Sequence, residues 1–86
     1  MGDLIIREVH GIPIWLMKEY LIELGGEAAG DNQVAGDGWV AVFARIEDFI
    51  IGSISVGRLR LQIEGDTDAL QSLLPQLELK LLRGGG

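Results

Sequence analysis

The chain contains no cysteine. Disulfides, thiol catalysis and thiolate metal sites are therefore excluded. Histidine occurs once, at His10, so no metal-binding histidine pair can be built within one chain. Basic residues are scarce: 7 Lys+Arg face 13 Asp+Glu, for a net charge of −6. Such a surface repels phosphate backbones, and non-specific nucleic-acid binding is not expected. No apolar run approaches the ~18 residues a membrane span needs. The start, Met1-Gly2-Asp3, lacks the basic opening of a signal peptide, so a cytoplasmic location is expected.

What is present is one small domain. Of 86 residues, 48% are hydrophobic and 23% charged, enough apolar material for a packed core. Residues 1–82 read as a single α+β domain and 83–86 as a flexible glycine-rich tail. At this length folding buries only about 60–65% of the unfolded chain's surface, so association would add useful stability.

Leu4–Val9 is a short apolar run flanked by glycines and predicts a strand. Pro13 then opens a helix that closes at Gly25-Gly26. Its residues Ile14, Leu16, Met17, Tyr20, Leu21 and Leu24 fall within one arc of roughly 160° at helical spacing. A short strand at Gln33–Ala35 lies between turns at Gly30-Asp31-Asn32 and Gly36-Asp37-Gly38. Trp39–Ile46 reads as a strand, Glu47-Asp48 as a turn, and Phe49–Val56 as another strand with a bulge or close approach at Gly52. Gly57 is expected to turn the chain into Arg58–Glu64, which alternates cleanly: Leu59, Leu61 and Ile63 to one side, Arg58, Arg60, Gln62 and Glu64 to the other.

A second helix begins near Asp66-Thr67, one of which is the expected N-cap, with Leu70, Leu73 and Leu74 as its stripe. Pro75 interrupts it, and residues 77–82 fit either more helix or, by the cost of an interior proline, a final strand. The order is β-α-β4-α, with or without that strand. Helices laid on one face of a curved antiparallel sheet would satisfy both apolar surfaces.

Several groups of residues invite a chemical reading. His10 at a strand end suits packing or a turn, with a general base or pH switch as the alternative. Asp31, Asn32 and Asp37 suggest calcium, yet ligand spacing and a terminal glutamate are missing, which favours solvated turns. Arg58 and Arg60 share a strand face that could grip a carboxylate or phosphate, or form surface ion pairs. An enzyme would need a carboxylate such as Glu8, Glu47 or Glu64 in an apolar pocket, and no catalytic residue or cofactor is assigned.

Trp15 and Ile22 are the most informative pair. They stand seven positions apart, off the core arc and among Lys18 and Glu19. A contact patch for a protein partner or a second copy is the leading expectation, since interfaces are enriched in tryptophan. Extra core contacts and a ligand pocket remain the alternatives.

The run GIPIWLMKEYLIELGG, the glycine-rich GDNQVAGDGW and the segment EGDTDALQSLL resemble a small bacterial family. They are similar to the C-terminal domain of MoaD-related proteins, where it follows a ubiquitin-like sulfur-carrier domain. The resemblance implies a TBP-like β-α-β4-α fold and a place near molybdenum-cofactor or sulfur-transfer proteins. It supplies no catalytic residues, and the chain is expected to depart from the two-domain pattern by lacking the carrier domain. The ending Arg83-Gly84-Gly85-Gly86 also resembles the tails of ubiquitin-like carriers, in which Gly85 and Gly86 would be the activated end. The absence of a β-hairpin before the first helix speaks against that second expectation. A non-catalytic interaction or ligand-binding domain, homodimeric, is the function expected.

Overall fold

Alternation and turn chemistry together lay down one sheet. In the computed structural model, which describes residues 2–83, β1 (Gly2–His10) leads into α1 (Ile14–Glu23). Then come β2 (Glu27–Gly30), β3 (Gln33–Gly36), β4 (Trp39–Ile51), β5 (Ile54–Asp66) and α2 (Thr67–Arg83). The five strands are antiparallel neighbours in the order β1-β5-β4-β3-β2. The class is α+β, as expected.

Leu59, Leu61 and Ile63 are buried, and so are Trp39, Ala41 and Phe43 beside them on β4. Both helices cover this face: α1 packs on β2, β3 and β4, α2 on β5 and β1, and the helices touch each other. Met17 and Leu21 of α1 meet Leu70, Leu73 and Leu77 of α2 in the same core. The rest of the predicted α1 arc, Ile14, Leu16, Tyr20 and Leu24, packs against its margin.

Two expectations are corrected. The first is the division of residues 39–64 into strands. Glu47-Asp48 is no turn: β4 runs through it, and two residues there oppose Gly57 alone, between the pairs Ile46–Arg58 and Phe49–Val56. That is a β-bulge. The true reversal is Gly52-Ser53, where Gly52 has φ +59° and leads a two-residue loop of the kind that joins twisted strands. Gly57 lies inside β5, and its carbonyl accepts the Gly11 N–H at 2.8 Å. A strand at residues 27–30, absent from the sequence reading, completes the sheet edge.

The second correction concerns residues 77–82, which are helix and not strand. Pro75 sits inside α2 on the exposed side. An interior proline costs about 3 kcal/mol. Burying Leu77, with Leu81 at the core margin, offsets it by a similar amount, because each buried leucine contributes about 1.5–3 kcal/mol. Arg7 at 2.8 Å from Glu78, and Lys80 bonded to Glu23, tie the distal half to β1 and α1. α2 begins at Thr67, which leaves Asp66, one of the two expected residues, at the N-cap position, and the Thr67 hydroxyl donates to Asp3 Oδ2 at 2.8 Å, linking the helix start to β1.

The other face of the sheet carries no helix. Register places Leu4, Glu64 and Val40 in one row across β1, β5 and β4, and Ile6, Gln62 and Val42 in the next. Toward the other end, Phe49 pairs with Val56 and Ile51 with Ile54 on the same face. There β4 and β5 continue past their neighbours as a two-stranded arm, and the molecule reaches 43 Å along its long axis.

Candidate interaction site

The base of the arm meets the start of α1. Gly11 breaks β1 with φ +76°, and Pro13 stands at the N-cap of α1 with extended backbone. This aims the first helical turn back toward the arm. A groove of about 420 Å³ opens between them, walled by Ile12, Pro13, Ile14, Trp15, Arg45 and Leu59, with Gly11, Gly57 and Arg58 completing it. Trp15 is 65% exposed at its rim. Its walls are mainly apolar, with guanidinium groups of Arg45 and Arg58 alongside.

The polar contacts of the arm base are specific. The Ser55 hydroxyl donates to Asp48 at 2.8 Å, and Arg45 donates to the same carboxylate at 3.2 Å. The bond from Ser55, then that from Arg45, hold the Asp48 carboxyl below its ordinary value. Arg58 donates from Nε to the Glu47 carbonyl at 2.7 Å and from Nη1 to Glu8 at 3.1 Å. The His10 ring stacks on Phe49 with centroids 5.2 Å apart, and its Nε2 lies 3.4 Å from Glu8. The His10 ring thus packs on the base of the arm.

Trp15 lines the groove, whereas Ile22, Glu19 and the half-buried Lys18 follow along α1 outside it. Trp15 and Ile22 are both exposed, as their position off the core arc implies. Arg58 and Arg60 do share the open face, but Arg58 is engaged within the chain. Arg60 has no ion-pair partner among the described residues. Asp31-Asn32 and Asp37 sit at opposite ends of β3 and do not converge. No cluster of three or more His, Cys, Asp or Glu capable of holding a metal occurs among the described residues. Glu8, Glu47 and Glu64 are all exposed, and Glu64 lines a shallow depression of the open face with Leu4, Val40, Val42 and Gln62.

Gly85 and Gly86 lie outside the described residues. The segment leading to them is helix, so the strand that would liken this end to ubiquitin is missing. No described helix is long and apolar enough to cross a membrane.

The groove and the arm were not foreseen. The groove joins residues 11–15 to residues 45 and 57–59, a juxtaposition with no local signature. The arm did leave one, in Gly52-Ser53 between isoleucines. In comparison with known proteins, the model of a family described as archaeal MoaD-like protein matches residues 5–86. No curated protein matches the chain.

Proposed function

The chain belongs to the archaeal MoaD-like protein family, and on that premise we propose that it works by binding and not by catalysis. It is a protein-interaction domain serving molybdenum-cofactor or sulfur-transfer proteins in the cytoplasm, and it corresponds to the C-terminal domain of larger MoaD-related proteins. The observation that carries this reading is the Trp15 groove. A tryptophan left in water beside an apolar cleft flanked by arginines has the composition of an interface anchor. The groove takes an apolar side chain of a partner, Arg45 favours an acidic residue next to it, and Lys18, Glu19 and Ile22 extend the contact along α1. Membership of a MoaD-like family supports the pathway part of this reading.

The test is titration of the full chain against the purified cofactor-pathway and sulfur-transfer enzymes of the same organism. Trp15→Ala is expected to weaken the complex at least about tenfold, and Ile22→Glu less, with unchanged melting temperatures. Equal binding by both variants removes the patch. No binding by any of these enzymes removes the pathway link.

A further inference from the structure

The open face of the sheet carries two apolar zones, and their spacing points to one occupant. We propose that two copies of this chain pack on each other through this face, end over end, so that the arm of each covers the floor of the other. The inference rests on the reading that the chain works by association. It uses the face turned away from the helices and Trp15, so either idea can fail without the other.

The floor is made of Leu4, Ile6, Val40 and Val42, of which Leu4 is 58% exposed. The arm presents Phe49, Ile51 and Ile54, the last 64% exposed. Between them lies a polar band of Glu8, Arg60, His10 and Arg58. On β5 the floor is centred on Glu64 and Gln62 and the arm on Val56 and Ile54. Both outer and inner pairs of positions are symmetric about Leu59. A half-turn about an axis crossing the strands at Leu59 therefore lays Phe49 and Ile51 of each arm on Val42 and Val40 of the opposite floor, with Ile54 at the level of Glu64 and with Leu4 and Ile6 at the flank. The polar bands meet in the middle, Glu8 at the level of the second copy's His10. An unrelated partner covers one zone with no need of the other, whereas two zones equidistant from a polar centre match a second copy.

Charge and area agree. The chain is strongly acidic, with a net charge of −6. In the rows from Arg58 to Glu64 of the open face, however, Glu8 and Glu64 are balanced by Arg58 and Arg60, with Asp66 beyond them at the end of β5. Here two acidic molecules can approach without like-charge repulsion. Two strands of 13 residues and one of 9, at ~3.3 Å per residue and ~4.8 Å apart, give a footprint of about 550 Å² before side-chain relief. That approaches the ~800 Å² per partner of a standard interface.

Analytical ultracentrifugation of the full chain tests this. The expected result is a dimer at micromolar concentration, which Ile54→Glu and Val42→Glu each weaken at least about 100-fold, since each change occurs twice per dimer. Trp15→Ala leaves it intact, and circular dichroism confirms the fold of every variant. The double variant Val42→Cys with Phe49→Cys adds a readout independent of affinity. These positions lie about 20 Å apart on one strand, too far for a bond within the chain, yet they face each other across the proposed dimer. A thiol-specific bis-maleimide with a reach of about 10 Å, the spacing of face-to-face sheets, is expected to give a covalent dimer. A monomeric wild-type chain at about 100 μM overturns the proposal. So does a dimer lost on Trp15→Ala but kept by Ile54→Glu, or a dimer in which the cysteines do not cross-link.

Discussion

Two residues show how tightly local choices bind the fold. The indole of Trp39 lies over Gly36, its cross-strand partner, where any Cβ would overlap the ring. Trp39 is buried, so the ring cannot move outward without losing core contacts. Gly36→Ala is expected to destabilise by about 1–3 kcal/mol, as overpacking does. Gly30→Ala, with its nearest neighbour atom at 3.9 Å, should stay within about 0.5 kcal/mol. Urea denaturation measures both, and equal midpoints would contradict the close approach. Asp48 gives the second case. Its carboxyl titrates below the ordinary 3.8 because of the Ser55 hydroxyl first and Arg45 second. A depressed folded value means that the stabilisation is complete above the unfolded value and is lost as pH falls through the folded one. The bulge is thus expected to loosen only below about pH 4. An NMR titration of Asp48 should show its midpoint rise in Ser55→Ala; an unmoved midpoint would assign the shift elsewhere.

Among the elements, α2 is the one in which packing overrides propensity. Pro75 is exposed and lacks the N–H its position would use. Pro75→Ala is therefore expected to raise stability by up to about 3 kcal/mol, read as a higher melting temperature. A lower one would mean that the proline bend is needed to seat Leu77. The sequence could not decide residues 77–82, because the leucines satisfy both periods and only the core contact with Leu77 separates them. The α1 arc and the β5 alternation were legible, since each has one dominant period and a buried face. The strand boundaries around Glu47-Asp48 were not. Two polar residues look like a turn, and their use as a bulge depends on Arg58 and Ser55, which reach them from the next strand. At the site, the exposure of Trp15 followed from its angle on the helix, while the groove beside it needed the arm to be placed first.

For the whole molecule, the balance of burial is uneven. One face of the sheet is sealed by two helices, whereas the other face, the arm and Trp15 leave large apolar side chains in water. A two-stranded arm is marginal alone, and a domain of 86 residues gains from association. The proposed binding would account for both facts, with the Trp15 groove serving a partner and the open face a second copy. The most direct test is native mass spectrometry of the protein purified from its own organism, read intact and after denaturation. The account predicts a non-covalent assembly, two copies alone or with a protein partner, whose denatured chain has its plain mass. A chain that is monomeric when intact would contradict it, and a C-terminal sulfur-for-oxygen or adenylate increment kept after denaturation would also move the function to Gly85-Gly86.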